Sequence, residues 1–396
     1  MIKISFLGDI MLDYEMVRFY SESSVNLDKE CYSQMLNHLR PLLSSSNYVI
    51  GNLETPISYD NSNLTYRKFE FNTSVQFAEA VKEAGVQMVT TANNHCMDRG
   101  VEGLKSTVRG LNDVGLSQCG IHIDEKNRYR IIDIDGFKIG VLAYTYGTNA
   151  FSNHQYLSIR RKTFNYVNLL QEQEGAVKRV FASLLRGFLL RPLGLLERLV
   201  FPENVNLKAH EKRTIDLYRK WLIRKDFREL KKENVDYTVA CVHVGGQYRK
   251  SPSEYTKHTA DWFIDRGTDL AVCNHEHVIH DHRFTDLNKL AVYSLGNCLG
   301  SSGVTCGPYG RRSEYSIALH VYINESDKRI EKFTFSVLKT ILSERNIYET
   351  WPVFDLLRNE ALTADIEQLK DESLQAASDF SGKQYFEVQE EFELAA

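Results

Sequence analysis

The stretch DLAVCNHEH, residues 269–277, indicates the fold of this chain. Its apolar run Leu270–Cys273 shows no alternation with polar residues and ends in the cluster Asn-His-Glu-His. Such a run is typical of a strand that is buried on both faces of a sheet. The stretch therefore predicts an internal strand with polar side chains at its carboxyl end.

The same pattern recurs along the chain. Comparable apolar runs that end in polar clusters are Ile2–Leu7, Tyr48–Ile50, Val86–Val89, Ile139–Ala143, Tyr237–Val242 and Leu290–Leu295. Helical patterns lie between them, at 75–84, 101–111 and 253–266, and each is followed by a glycine. Alternating strands and helices predict an α/β sheet, in which ligands gather at the carboxyl ends of the strands. We therefore expect these polar clusters to meet in one site.

Composition excludes several classes of protein. The 396 residues are 43% hydrophobic and 25% charged, which excludes disordered, collagen-like and coiled-coil chains. The N-terminal apolar run is interrupted at Asp9, so we expect no targeting segment. The most apolar later segment, Val180–Phe201, contains four charges and is not expected to span a membrane. Seven cysteines without repeated spacing favour reduced thiols, and hence a cytoplasmic protein.

A basic segment interrupts the strand pattern. Residues 158–232 contain 18 Lys or Arg against 8 Asp or Glu, in a chain of net charge −4. We expect a helical insertion at about 151–234 in a domain that covers 1–340. A helical extension over 341–396, with a helix at Leu356–Leu369 and an acidic tail, would follow. The arginines of the insertion, at 179, 186, 191 and 198, either face solvent on a packed helical hairpin or contact an anionic membrane surface, a synthase complex or a polyanion. Without a stacking platform, nucleic acid is not the expected partner, and the aromatic residues there, including Trp221, are expected in the core.

The polar clusters contain a set of side chains suited to a transition metal. Carboxylates, imidazoles and an amide together favour Mn²⁺, Fe or Zn²⁺ over Ca²⁺, and the candidates are Asp9, Glu54, Asn94, His95, His243, His275 and His277. Each motif taken alone has a structural interpretation, as a turn, a loop or a core histidine. A second His-x-His pair, His280 and His282, competes with His275 and His277. From the residues alone this choice stays open.

At these positions the chain resembles the CapA family of capsule-synthesis proteins, the poly-γ-glutamate synthesis proteins of the calcineurin-like metallophosphoesterase superfamily. The matching motifs span 1–150 and 235–325 and are Gly8–Leu12, Gly51–Pro56, Ala92–Gly100, Tyr144–Asn149, His243–Tyr248, His275–Val278 and Tyr293–Asn297. The resemblance implies a four-layer α/β/β/α metallophosphatase-like sandwich. It also selects His275 and His277 over the later pair.

The resemblance further implies two divalent metal ions. One would be held by Asp9, Glu54 and His277, and the second by Glu54, Asn94, His243 and His275. His95 would act on a substrate oxygen, with Asp98 fixing its orientation, and a metal-bound hydroxide would attack phosphorus. The implied function is a metal-dependent phosphoesterase or related hydrolase that acts on an anionic polymer or phosphoester in capsule or cell-surface polymer (poly-γ-glutamate or polysaccharide) biosynthesis or processing. The alternatives are a non-catalytic accessory protein of a synthesis or export complex and, third, a nuclease.

Several positions depart from the family pattern. Gln247 replaces the usual glutamate of the His-x-Gly-x-Glu-Tyr motif, and Glu276 replaces the proline between the paired histidines. Cys298 replaces a phenylalanine, and Asp13 stands where a small residue is common, so that Asp13 is a candidate for an additional metal ligand. Gln247 and Glu276 favour the accessory interpretation, whereas the retained ligand set favours an enzyme. A contact with the inner face of the membrane, through 160–232, is compatible with either.

Overall fold

Among the residues that it describes, the computed structural model defines two large β-sheets, a two-stranded sheet and flanking helices. It describes residues 1–59, 67, 69–123, 128–158, 161–173, 215–285, 289–301, 312–359 and 365–394. The strands are Ile2–Ile10 (β1), Tyr48–Leu53 (β2), Ile57–Ser58 (β3), Thr73–Ser74 (β4), Met88–Thr90 (β5), Ser117–Cys119 (β6), Tyr129–Ile134 (β7), Phe137–Thr145 (β8), Tyr237–His243 (β9), Leu270–Asn274 (β10), Ile279–Phe284 (β11), Leu290–Leu295 (β12), Asn297–Leu299 (β13), Tyr315–Asn324 (β14), Arg329–Leu342 (β15), Tyr348–Pro352 (β16) and Phe392–Leu394 (β17).

The helices flank the sheets, and the last two that are described pack into the core that the two large sheets share. They are Tyr14–Glu22 (α1), Lys29–Leu36 (α2), Arg40–Ser44 (α3), Val75–Glu83 (α4), Gly100–Val114 (α5), Ala150–Asn153 (α6), Leu217–Lys232 (α7), Glu254–Ile264 (α8), Val353–Leu356 (α9) and Ile366–Ser381 (α10), with a short 3₁₀ helix at Asn37–Leu39. Three of the helices match the patterns in the sequence. The glycines after them, Gly85, Gly115 and Gly267, all have positive φ, which ends a helix at little steric cost.

Each sheet has a parallel centre. The first sheet has the order β16-β15-β14-β1-β2-β5-β6, with β13 beside β1 and β17 beside β15, and β1, β2, β5 and β6 run parallel. The second has the order β11-β12-β10-β9-β8-β7, with β12, β10, β9 and β8 parallel. The carboxyl ends of the parallel strands in each sheet therefore lie along one edge.

The central strands of the second sheet, β8, β9, β10 and β12, are buried on both faces, as the sequence predicted. In β9, Val239 and Cys241 enter the core between the two sheets, while Ala240 and Val242 pack against α7 and α8. A separate cluster packs α1, α2 and α4 onto the outer face of the first sheet. The four-layer α/β/β/α arrangement is therefore confirmed.

The segment between β8 and β9 is only partly described. Its described parts include 161–173, which bridges to Ile121 and Thr145, and α7, whose exposed Trp221 (53%) corrects the prediction that this residue lies in the core. The arginines at 179, 186, 191 and 198 lie outside the described residues. The charge argument about the insertion therefore stays a prediction.

The C-terminal segment combines helices with strands. Residues 348–352 and 392–394 form β16 and β17, and both pair with β15 of the first sheet. The helix α10 lies at Ile366–Ser381, later than the sequence pattern indicated. Glu391, in the acidic run, forms an ion pair with Lys3 of β1.

Candidate metal centre

The polar side chains that follow the parallel strands meet between the two sheets. Asp9 comes from β1, Glu54 follows β2, His243 ends β9, and His275 and His277 follow β10, and all five are buried. Potential ligand atoms of Glu54, His275 and His277 lie within 4.8 Å of one another, as do those of Asp9, Glu54 and His243. These groups could hold a metal ion.

Asp9 is positioned by a close approach of two strands. Its backbone N–H donates to Gly296 O at 3.0 Å, and a Cβ on the preceding Gly8 would lie 2.0 Å from that same oxygen. Only glycine at position 8 therefore lets β1 run this close to the chain before β13. The approach brings Asp9 into register with Asn52 of β2 and Asn297 of β13.

Glu54 is a fully buried carboxylate that lacks hydrogen bonds. Among the described residues, neither of its oxygens has a hydrogen-bond partner. Its Oε1 lies 3.4 Å from His243 Nε2 and 3.9 Å from His277 Nε2. A buried carboxylate without hydrogen bonds is costly unless a cation balances it. This donor set therefore fits a divalent metal ion.

Asn94, His243 and His275 point their polar atoms at one another. Asn94 Oδ1 lies 2.6 Å from His243 Nε2, and His275 Nδ1 lies 3.1 Å from that same nitrogen. An amide oxygen and two imidazole nitrogens thus converge beside the Glu54 carboxylate. All three are atoms that bind transition metals.

The loop that contains His275 and His277 has an unusual backbone. His275 has φ of 101° and His277 has φ of 59°, a region that non-glycine residues rarely adopt outside functional sites. His277 Nδ1 lies 2.9 Å from Asn297 Oδ1, and its Nε2 lies 3.1 Å from Gln247 Nε2. These contacts hold the imidazole ring in place.

Glu276, between the two histidines, points away from the cluster. Its Oε1 accepts hydrogen bonds from Thr256 Oγ1 at 2.6 Å and from Ser253 N–H at 3.2 Å, and its Oε2 lies 3.3 Å from His280 Nε2. The side chain thus ties the loop to the first turn of α8. The departure from proline at this position adds no charge to the candidate metal centre.

His95 is oriented by Asp98. Its Nδ1 lies 2.6 Å from Asp98 Oδ2, and its ring stacks on Phe71 at a centroid distance of 3.6 Å. Asp98 is itself held by the Phe71 N–H and by Asn153 Nδ2. Burial opposes the charged form of His95, but the carboxylate of Asp98 outweighs it and raises the pKa. Asp98 thus lies within hydrogen-bond distance of His95, and its role in orienting that ring stays a prediction.

The two buried carboxylates have opposite pKa shifts. Burial raises the pKa of Asp9, and the nearby Glu54 carboxylate raises it further. Burial acts in the same direction on Glu54, but the adjacent His243 and His277 imidazoles lower the pKa of Glu54 to about 2. Glu54 is therefore ionised without a cation, and a metal ion at this position would also favour the ionised form of Asp9.

Asp13 and the second histidine pair lie outside this cluster. Both oxygens of Asp13 accept backbone N–H groups, from Met16 at 2.9 Å and from Ser301 at 2.6 Å. Asp13 therefore caps α1, and the hypothesis that it is an additional ligand is wrong. His280 faces Glu276, and His282 Nδ1 lies 2.8 Å from Phe380 O. The tertiary structure brings the earlier pair, His275 and His277, to the carboxylates.

A cleft leads from the surface to this cluster. It has a volume of about 420 Å³. Its deep side is formed by Asn94, His95 and His275, and its outer part by Gln247, Tyr248 and Arg249, among others. The two imidazoles and the amide at its base are thus accessible to a small molecule or to a segment of a polymer.

The sequence argument missed the residues that support the ligands. Asn52 bonds to Asp9, and Asn297 bonds to His277. Both lie in motifs that carry the family resemblance. Asn52 stands between Gly51 and Leu53, and Asn297 follows Gly296. Their position next to predicted ligands was the available signal, but an asparagine at a strand end is equally typical of a turn.

The fold and this cluster define an α/β/β/α protein with a group of carboxylates and imidazoles that could hold a metal ion at the carboxyl ends of its parallel strands. The chain belongs to the family of bacterial capsule synthesis proteins named PGA_cap, whose model matches residues 3–302. Among its described residues, no helix is both long and apolar enough to cross a lipid bilayer.

Two curated relatives are similar to this chain. The capsule biosynthesis protein CapA of Bacillus anthracis is 26% identical over 313 residues, which cover 76% of this chain and 60% of the relative. The PGA biosynthesis protein CapA of Bacillus subtilis (strain 168) is 22% identical over 305 residues, which cover 76% and 64%. The chain thus spans about three fifths of the length of these relatives.

Two solved structures show weaker similarity. A putative 5′-nucleotidase from Staphylococcus aureus in complex with alpha-ketoglutarate has a TM-score of 0.44 and 14% identity, covering 93% of this chain and 58% of that one. The protein TT1561 of Thermus thermophilus has a TM-score of 0.34 and 10% identity, covering 83% and 96%. At these TM-scores neither structure informs the function of this chain.

Proposed function

We propose that the chain is a metal-dependent hydrolase of the phosphoesterase type. It acts in the biosynthesis or processing of a capsule or another cell-surface polymer, poly-γ-glutamate or a polysaccharide. The observation that carries this proposal is Glu54, a fully buried carboxylate without a hydrogen-bond partner among the described residues, surrounded by imidazoles. A buried group of this kind is expected where a cation binds.

The proposed centre holds two divalent ions, Mn²⁺, Fe or Zn²⁺. Asp9, Glu54 and His277 would hold one, and Glu54, Asn94, His243 and His275 would hold the other. Glu54 belongs to both groups whose ligand atoms lie within 4.8 Å of one another, one with His275 and His277 and one with Asp9 and His243, and this supports a shared role for its carboxylate although the histidines are divided differently. Metal ions in such a centre lower the pKa of water and neutralise charge that develops on phosphoryl oxygens.

The residues around the centre have distinct proposed roles. Asn94, His95 and His275 line the cleft where a phosphoester would lie. Because His95 Nδ1 is engaged by Asp98, its Nε2 is the nitrogen available to a substrate oxygen. The raised pKa of His95 favours its protonated form, so we assign His95 the role of acid or electrostatic stabiliser and Asp98 that of its positioning residue.

A second candidate function is that of a non-catalytic accessory protein. It would bind an anionic polymer or a synthase subunit and retain the metal centre only in part. Gln247 favours this alternative, because its amide lies 3.1 Å from His277 Nε2 where related sequences have a glutamate. An amide supplies no negative charge to a cation at that position.

Metal content, measured by elemental mass spectrometry, tests the proposed centre. We expect nearly two Mn, Fe or Zn per chain in the purified protein and a clear loss in His275→Ala. The matched control is His282→Ala, which removes a histidine of the other His-x-His pair, outside the cluster. Absence of bound metal even after incubation with Mn²⁺ would favour the accessory function.

Turnover tests the hydrolase assignment separately. With bis(p-nitrophenyl) phosphate as a general probe, Asp9→Asn and His243→Ala should abolish metal-dependent hydrolysis. The melting temperatures of the metal-free variants should stay near that of the metal-free wild type. Unchanged turnover in these variants would overturn the assignment.

A further inference from the structure

The cleft above the metal centre has an unequal distribution of charge. Arg249 lines its outer part, and among the described residues that line it there is no Asp or Glu. The Asp9 and Glu54 carboxylates lie beneath this surface, fully buried. The wall that a bound molecule would contact is therefore polar and cationic, which favours a negatively charged ligand.

Arg249 is itself not neutralised. The described residues provide it with neither an ion pair nor a hydrogen bond. Its side chain is partly buried at the cleft, so its guanidinium group has donors directed at the space that a ligand would fill. A guanidinium group has five N–H donors in a planar arrangement that matches a carboxylate or a phosphate.

Gly246 leaves room for this guanidinium group because it has no side chain. A Cβ at position 246 would lie 2.3 Å from Arg249 Nε and 2.8 Å from its Cζ. The guanidinium group of Arg249 therefore lies close to the backbone of Gly246, in the segment that follows β9. That segment also presents Gln247 and Tyr248 to the same cleft.

We propose that Arg249 forms an anion subsite of this cleft. It binds a second negatively charged group, a carboxylate or a phosphate, of a substrate whose reacting phosphoester lies at His95 and His275. The inference rests on the proposed function for the position of the reacting group. The substrate class that follows is a polyanionic chain, in which a charged unit next to the reacting one reaches Arg249, and not an isolated phosphomonoester.

Binding to the metal-free protein tests this subsite, because chelation of metal by the probes is then avoided. Isothermal titration calorimetry with tripolyphosphate and with tri-γ-glutamate separates the two anion chemistries. For at least one probe, we expect Arg249→Ala to weaken binding about tenfold or more, the usual effect of losing a hydrogen bond to a charged group. The affinity of Arg249→Lys should lie between those of the wild type and Arg249→Ala. The affinity of the wild type should fall as salt is added.

Two further variants make the test specific. Lys250→Ala removes the same charge from an exposed position that does not line the cleft, and it should leave the affinity unchanged. Gly246→Ala should weaken binding as Arg249→Ala does, because its methyl group displaces the guanidinium group. When Arg249 is already replaced by alanine, Gly246→Ala should weaken binding almost no further.

The outcomes separate this inference from the proposed function. Weaker binding of either probe by Arg249→Ala supports the subsite, and the probe affected identifies the anion. Equal affinities of wild type and Arg249→Ala, or no binding of either probe to the wild type at millimolar concentration, overturns it. Metal content and turnover are measured independently, so their failure overturns the hydrolase and leaves an Arg249-dependent anion site standing.

Discussion

The side-chain amide of Asn52 donates a hydrogen bond to Asp9 Oδ1 at 2.7 Å, across the paired strands β1 and β2. Its nitrogen also lies 3.3 Å from His243 Nδ1. The Thr90 hydroxyl donates to Asn52 Oδ1 at 2.9 Å, so the amide nitrogen is the end that faces the ligands. Asn52 thus connects two proposed ligands that come from different sheets.

Replacing Asn52 by leucine should therefore weaken metal binding. Residues that orient metal ligands typically contribute about 10- to 100-fold to metal affinity. We expect Asn52→Leu to raise the Mn²⁺ dissociation constant within this range, and Thr90→Val to raise it less. Calorimetric titration with Mn²⁺ measures both, and the melting temperatures of the metal-free variants control for folding. An unchanged dissociation constant in Asn52→Leu would contradict this role.

Glu54 and Glu276 provide a matched pair of buried carboxylates. Both are 0% exposed, but Glu54 lies in the cluster and Glu276 points away from it. Mn²⁺ at about 100 times its dissociation constant should stabilise the wild type by about 2.7 kcal/mol, an increase of several degrees in melting temperature. Glu54→Gln should abolish this increase, whereas Glu276→Gln should retain it. The reverse result would show that the charge of Glu276, not of Glu54, serves the metal.

The tether formed by Glu276 should contribute to folding. Truncation to alanine removes the acceptor of the Ser253 N–H and the nearest acceptor of Thr256 Oγ1, and it removes the carboxylate that lies 3.3 Å from His280. We expect Glu276→Ala to lower the free energy of unfolding by about 2–4 kcal/mol, because buried polar groups lose their partner. Thr256→Val should cost about 1 kcal/mol. Urea denaturation of the metal-free protein measures these values, and a fully stable Glu276→Ala variant would rule out the tether.

Asp98 should affect turnover without affecting metal binding. Its carboxylate lies 2.6 Å from His95 Nδ1 and supports the raised pKa of that histidine. Asp98→Asn should lower hydrolysis of bis(p-nitrophenyl) phosphate by about 10- to 100-fold. The Mn²⁺ dissociation constant should change little. Asn153→Ala, which removes the 3.2 Å contact to Asp98 Oδ1 together with hydrogen bonds to Thr148 O and from the Gln155 N–H, should have a smaller effect. Loss of metal in Asp98→Asn would instead indicate a role in holding the ligands.

Protein stability should fall in mild acid because of His320. This histidine lies between Ser5 and Ser336, and burial, together with the nearby Lys3, lowers its pKa to about 3. In the unfolded chain its pKa is about 6.5, so between these values the unfolded state binds the additional proton. The contribution of neutral His320 is present above about pH 6.5 and is lost as pH falls, by at most about 1.4 kcal/mol per pH unit.

Denaturation at pH 7 and at pH 5 measures this dependence. His320→Gln should lower stability less at pH 5 than at pH 7. Burial raises the pKa of the neighbouring Glu391, but hydrogen bonds from Lys3, Thr334 and Tyr322 lower it, so Glu391 stays ionised in the folded protein at both pH values. Identical pH profiles of variant and wild type would show that His320 does not control this transition.

The local sequence predicted where the strands lie, but it predicted their first and last residues less accurately. Runs such as Tyr237–Val242 are apolar on both faces. Both faces are buried only in a strand that has the other sheet on one side and helices on the other. The boundary of β5 was displaced by two residues, since its pairing partners β2 and β6 decide where the strand begins. Ser74 is the residue directly before α4, but its side chain does not cap the helix.

The sequence alone established a doubly covered α/β sheet and the residues that would stand at its edge. Those features depend on periodicity and on residue chemistry, which are local properties of the chain. The choice of His275 and His277 over His280 and His282 was open from spacing, and so were the roles of Asp13 and Glu276. Tertiary structure decided these, because each depends on the direction of a side chain relative to residues more than ten positions away. Positive φ at His275 and His277, the close approach at Gly8 and the Asn52 contact all arise only when the two sheets pack together.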